Sequence, residues 1–261
     1  MEVKTLVLTG YGINCDFELQ NAFQMAGARA DRVHFNDVMQ KNMLKDYHIL
    51  AIPGGFAFAD DIASGKVFAN KLRFKMQTQV QDFISAGKLV IGVCNGFQIL
   101  VKAGLLPNPK ELAQTTTLTY NDSGHFEDRW VHLKNGDSKS VWAKGIKELP
   151  LPVRHGEGKF VASEQTLAEL NKNKQIAFRY FNPSKPKAPA GSAGYPWNPN
   201  GALEDIAAVC DETGRVFGLM PHPEAFVFPT NHPQWTRGET KTGEGLKIFQ
   251  NAVDYAKKRL V

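Results

Sequence analysis

Leu89-Val90-Ile91-Gly92-Val93-Cys94-Asn95-Gly96-Phe97-Gln98-Ile99-Leu100 is the stretch on which the reading of this chain turns. The unbroken run Leu89 to Val93, apolar apart from one glycine, predicts a strand buried on both faces. Gly96 to Ala103 predicts a helix, which leaves Cys94 in the bend between the two. Glycines two positions before and two after the cysteine give room for a tight, strained turn that pushes the sulfur outward. A free thiol, with a pKa of about 8.5, is mostly protonated at neutral pH. A helix N-terminus or a nearby imidazole is the niche that makes it a nucleophile.

The same grammar extends outward from this strand. Leu6 to Leu8 is an apolar run, followed by a glycine turn and by Leu19, Ala22, Phe23 and Ala26 at helical spacing, stopped by Gly27. Ile49 to Ile52 predicts a second buried strand, and Leu72, Met76, Val80, Phe83 and Ile84 a helix that Gly87 ends. Continuous apolar strands alternating with amphipathic helices imply an α/β fold, its parallel sheet covered on both faces. After Pro107 the segments shorten and alternate. Trp130 to Lys134 and Ile176 to Tyr180 read as antiparallel additions to the sheet, and Ile206 to Cys210 with Arg215 to Met220 as a hairpin turned by Asp211-Glu212-Thr213-Gly214. Leu246, Phe249, Val253 and Ala256 mark a closing helix expected to dock on the sheet. No clear linker divides the chain, so residues 1–261 are taken as one domain. Within it 182–201, rich in Pro, Gly, Ser and Ala, predicts a long loop.

The second strand of that hairpin delivers Pro221-His222-Pro223-Glu224. His222 can accept a thiol proton, and Glu224, two residues on and on the same side of an extended segment, can hold the imidazole's tautomer and orientation. The flanking prolines fix φ around the histidine and present it rigidly. An acyl-transfer site also needs donors for an oxyanion, and two backbone amides qualify: Asn95, directly after the nucleophile, and Gly55 in the Pro53-Gly54-Gly55 turn that follows Ile52. Gln98, one helical turn beyond Cys94, can meet a bound amide. Cys15 and Cys210 have no His or Glu partner at useful spacing and read as buried structural thiols.

Composition narrows the alternatives. The chain has 261 residues, 43% hydrophobic and 22% charged, with 31 basic against 26 acidic residues and no basic run of the length a nucleic-acid arm needs. Three cysteines without a CxxC pair argue against a disulfide framework and a structural zinc site. The histidines lack the HExxH spacing of a zinc hydrolase, and the sequence has no GxxxxGK[ST] phosphate loop; the expectation is no metal and no nucleotide on this chain. Gly10-Tyr11-Gly12 opens a dinucleotide signature that Cys15 then breaks. The opening residues hold no charged leader or cleavage site, and no window reaches 18 apolar residues, so neither export nor a membrane span is expected and a cytoplasmic location is.

Several of these motifs together carry a family resemblance. Pro53-Gly54-Gly55-Phe56, Gly92 to Leu100, Gly104-Leu105-Leu106-Pro107, His155-Gly156-Glu157-Gly158, Phe178-Arg179-Tyr180, Asn198-Pro199-Asn200-Gly201 and Gly218 to Glu224 are similar to the class I (triad) glutamine amidotransferases. More narrowly they resemble the glutaminase components of phosphoribosylformylglycinamidine synthases in purine biosynthesis, over nearly the whole chain. The resemblance implies a flavodoxin-like doubly wound mixed sheet with antiparallel additions. It also implies Cys94 as nucleophile, His222 as base, Glu224 as its orienter, Gly55 and Asn95 as oxyanion amides, and Gln98 and His155 beside the substrate L-glutamine. Ammonia would pass to a synthetase subunit that carries ATP and magnesium, with a third small subunit as a further partner. The chain departs from the family pattern at Gly10-Tyr11, Phe58-Ala59 and Ala225. A γ-glutamyl peptide hydrolase acting alone, or a non-catalytic glutamine-binding module, remain as alternatives.

Overall fold

The computed structural model describes residues 2–238 and 241–261. In chain order its main elements are β1 (Lys4–Thr9), α1 (Asp16–Met25), β2 (Arg29–His34), α2 (Phe35–Lys41), β3 (Ile49–Ile52), α3 (Lys66–Ser85), β4 (Leu89–Val93) and α4 (Asn95–Lys102). There follow β5 (Thr116–Thr119), β6 (Glu127–Asn135), β7 (Glu148–His155), β8 (Lys159–Ala162), α5 (Glu164–Lys172), β9 (Ile176–Tyr180), β10 (Ile206–Cys210), β11 (Val216–Leu219) and α6 (Leu246–Arg259).

Nine strands form one sheet in the order β2-β1-β3-β4-β11-β10-β9-β6-β7, with β5 and β8 paired apart from it. The first five are mutually parallel and the remaining neighbours antiparallel. The 2-1-3-4 start, closed by a parallel strand from late in the chain, is the flavodoxin-like order. The runs that read as continuously apolar are buried along their whole length: β3, β4, β10 and β11 expose no residue. Helices supply the cover this demands. α3 buries Phe68, Leu72, Met76, Val80 and Phe83, spaced to fall on one face.

The closing helix α6 lies beside α1, with the Phe249 and Phe23 rings 5.0 Å apart. The stretch 182–201 holds no helix or strand, yet its end is interior: Asn198 and Asn200 are both buried.

Candidate active site

β1, β3, β4 and β11 lie in one sheet and run the same way, so the loops that follow them meet at one edge, where open α/β sheets bind their ligands. Each loop contributes. Cys15 follows β1, Gly54 and Gly55 follow β3, Cys94 follows β4, and His222 with Glu224 follow β11. The loops after β1 and β3 are stitched by backbone bonds: Phe56 N–H donates to Gly12 O at 2.9 Å, and Cys15 N–H to Gly54 O at 3.2 Å.

Cys94 takes φ 50° and ψ −105°, a left-handed region that disfavours any side chain. Holding it there costs about 1–3 kcal/mol, which the flanking packing sustains. Its amide donates to Leu219 O at 2.8 Å, fastening the bend to the neighbouring strand, and its carbonyl accepts the Gln98 amide as α4 begins. The glycines around it are required by contact. A Cβ on Gly96 would fall 2.0 Å from Ile52 O, and one on Gly92 2.4 Å from Gly96 O. With these two absent, α4 presses against β3 and β4, and the sulfur stands at the helix N-terminus, where the peptide dipoles favour negative charge.

His222 and Glu224 side chains are each 2% exposed, with Nδ1 2.5 Å from Glu224 Oε1. That contact makes Nδ1 the donor and leaves Nε2 to act. His222 N–H donates to Pro152 O at 2.8 Å, so β7 at the far end of the sheet curls back to brace the imidazole. Gly54 is the common neighbour of the reactive groups. A Cβ there would lie 2.8 Å from His222 Cε1, 3.3 Å from Cys15 Sγ and 3.4 Å from Cys94 Cβ. Burial works against an imidazolium at His222, but the negative charges of Glu224 and Cys94 outweigh it and hold its pKa well above the ordinary histidine value.

No acceptor is found for the Gly55 or Asn95 N–H among the described residues, which leaves both amides free for an incoming oxygen. Gln98 and His155 each have partners within the chain. Gln98 Oε1 accepts from Asn95 Nδ2 at 2.9 Å while its Nε2 donates to Glu157 O, so its amide joins the helix start to the HGEG loop. His155 has Nδ1 3.1 Å from Asn121 Oδ1 and Nε2 3.3 Å from Asn200 Nδ2. Burial, with the charge of His222 nearby, pushes its pKa down to about 3. It is a neutral strut tying the end of loop 182–201 to the site.

Three features went unread in the sequence. The first is Cys15, whose thiol lies beside His222 and Glu224 rather than in a structural core; burial pushes its pKa up. Its signal was position, directly after a parallel strand, since its partners are about 200 residues away. Cys210 does match expectation, buried with its thiol pushed up to about 12. The second is a buried pair under the loop after β3, with Lys102 Nζ 3.6 Å from Glu157 Oε2 and donating to Ser64 O at 2.5 Å. Glu157 also accepts the Ser64 amide at 3.1 Å. The third is that two departures from the family pattern meet: the Tyr11 and Phe58 rings stack with centroids 4.4 Å apart, steadying a loop in which Phe58, Ala59, Asp60 and Ile62 all have positive φ.

Residues 2–256 match the family model of CobB/CobQ-like glutamine amidotransferase domains. The chain is 44% identical to the phosphoribosylformylglycinamidine synthase subunit PurQ of Methanococcus maripaludis, over 98% of each chain. It is 45% identical to the subunit of the same name from Dehalococcoides mccartyi, over 98% of this chain and 99% of that one. A chain in the structure of PurLQS from Thermotoga maritima superposes with a TM-score of 0.74 at 28% identity, covering 98% of this chain and 99% of that one.

Proposed function

The chain belongs to the CobB/CobQ-like glutamine amidotransferase family, and we propose that it is the glutaminase subunit of a phosphoribosylformylglycinamidine synthase. Its substrate is L-glutamine and its product ammonia, delivered to an ATP-dependent synthetase subunit in purine biosynthesis. The observation that carries the chemistry is a cysteine held at a strained strand-to-helix bend beside a buried histidine–carboxylate pair. The identity over nearly the full length of two PurQ subunits supports the narrower assignment.

The reaction follows from the groups present. Cys94 Sγ attacks the side-chain carbonyl carbon of glutamine, and the oxygen's developing charge is met by the Gly55 and Asn95 amides. Losing one such donor typically costs about 2.7–4 kcal/mol of transition-state stabilisation. The tetrahedral intermediate collapses with His222 Nε2 protonating the departing nitrogen, so ammonia leaves and a γ-glutamyl thioester remains. Water, deprotonated by the same imidazole, then cleaves the thioester to glutamate and restores the thiol. Glu224 keeps the Nδ1 proton in place throughout.

On this reading ATP and magnesium act on the synthetase and this chain holds no cofactor. The partners are the synthetase subunit and a third small subunit, in keeping with the PurLQS composition of the solved relative. The complex works in the cytoplasm; among the described residues no helix is long and apolar enough to cross a membrane. The purified chain, alone and mixed with its synthetase, should release ammonia from glutamine, and a glutamine-derived electrophile should modify Cys94. Equal turnover of γ-glutamyl peptides without a synthetase would point to a hydrolase instead.

A further inference from the structure

Cys15 belongs to the strand-end cluster, yet the reaction above leaves it idle. Its Sγ, a ring nitrogen of His222 and a carboxylate oxygen of Glu224 lie within 4.8 Å of one another, the one trio of metal-ligating side chains so placed among the described residues. Cys15 follows β1 and the other two follow β11, so no local turn accounts for the thiol's meeting the pair. Two further observations point to a ligand. Glu224 Oε2, on a side chain 98% buried, has no hydrogen-bond partner among the described residues, and a buried lone pair left unmatched costs about 1–3 kcal/mol. The missing side chain at Gly54 also keeps the space open, since a Cβ would crowd both His222 Cε1 and Cys15 Sγ.

We propose that Cys15 Sγ, His222 and Glu224 form a binding site for a borderline-soft divalent cation, best matched by zinc(II), and that occupancy shuts the enzyme off by taking His222 and Glu224 out of the triad. Thiolate, imidazole and carboxylate are the donor set zinc accepts, at about 2.0–2.3 Å, and a modest contraction of the trio reaches those distances. Magnesium demands an oxygen shell and is excluded by the same donors. On binding, the Cys15 thiol and the His222 ring each release a proton to solvent, and the carboxylate enters as its anion. The cation is an inhibitor here and no part of the turnover. Inhibition rests on the glutaminase reading; binding does not.

Cobalt(II) titration of the full chain, with zinc(II) titration of glutaminase activity, tests both halves. Wild-type protein should take up one equivalent of cobalt with a thiolate-to-metal charge-transfer band. Cys94→Ser should keep that band and Cys15→Ser should lose it. Without zinc, Cys15→Ser should retain glutaminase activity, which also reports its folding. Its zinc concentration for half-inhibition should rise more than about 100-fold, because even an outer-shell partner is worth 10–100-fold in metal affinity. The proposal is overturned if cobalt gives no thiolate band in the wild type, if the band survives in Cys15→Ser and vanishes in Cys94→Ser, or if both enzymes respond equally to zinc. Wild-type protein that binds cobalt through Cys15 but hydrolyses no glutamine would sink the glutaminase reading and leave the metal site standing.

Discussion

The two halves of the central sheet carry different burdens. The parallel half, β2-β1-β3-β4-β11, ends in the loops that hold Gly54, Gly55, Cys94, His222 and Glu224. The antiparallel half, β10-β9-β6-β7, supplies none of these groups; it curls back to brace them through Pro152 O on the His222 amide, Glu157 O on Gln98 and the His155–Asn200 strut. Chemistry on one side and bracing on the other means that substitutions in the two halves should fail in different ways. Those in the parallel half should cost rate at nearly full stability. Those in the antiparallel half should cost stability first.

The largest separation is expected at Glu224→Gln. Removing the carboxylate that fixes the His222 tautomer should lower glutamine turnover by about 10⁴-fold, the scale known for the equivalent change in a serine triad, with the thermal midpoint little changed. A Glu224→Gln enzyme of normal rate would show that the carboxylate has no part in orienting the base. Gly54→Ala comes next. Its Cβ would sit 2.8 Å from His222 Cε1, and a displacement of the ring on the order of 1 Å costs about 100-fold in rate; steady-state kinetics beside a denaturant curve measures both sides of the comparison.

On the bracing side, Glu157→Ala strands Lys102, whose side chain is 3% exposed and whose pKa burial already pushes down. Breaking a buried pair from one side costs about 3–5 kcal/mol, read as a shift in the urea midpoint, and Lys102→Met in the same chain should recover part of it. If Glu157→Ala loses turnover while keeping its midpoint, the division of labour is wrong at this position. The smallest effect is a pH response. His155 is held neutral to about pH 3 against an ordinary 6.5, so between those values the unfolded chain binds a proton that the folded chain refuses. Stability is full above pH 6.5 and falls as pH drops toward 3, by up to about 1.4 kcal/mol per pH unit. His155→Asn should flatten that slope, which urea midpoints at pH 7 and pH 5 would reveal.

How far the sequence could be read also divides along this line. Ile49–Ile52, Leu89–Val93, Ile176–Tyr180 and Ile206–Cys210 coincide with strands because an apolar run of that length has nowhere to go but the interior. The bend at Cys94 and the His222–Glu224 pairing were visible because each is local, although Pro223–Ala225 forms a 3-10 turn where an extended segment was expected. β2 was not, since Arg29, Asp31 and Arg32 interrupt it and as an edge strand it buries only Ala30. β7 hid behind Pro150 and Pro152, which an edge strand tolerates. α5 has Leu170 as its one buried residue. Gln98 and His155 lie beside the triad, but the partners that occupy their side chains, Glu157, Asn121 and Asn200, come from distant segments and no spacing announces them. The Tyr11–Phe58 stack is of the same kind, two departures from a pattern that make sense only together.

The measurement that bears most directly on the whole account is ammonia release from glutamine by wild-type protein and by Cys94→Ala, each with its synthetase partner and each checked for an unchanged unfolding transition. Turnover is expected in the first and none above background in the second, with the glutamine-derived electrophile labelling the wild type alone. A folded Cys94→Ala protein that still releases ammonia at the wild-type rate would contradict it.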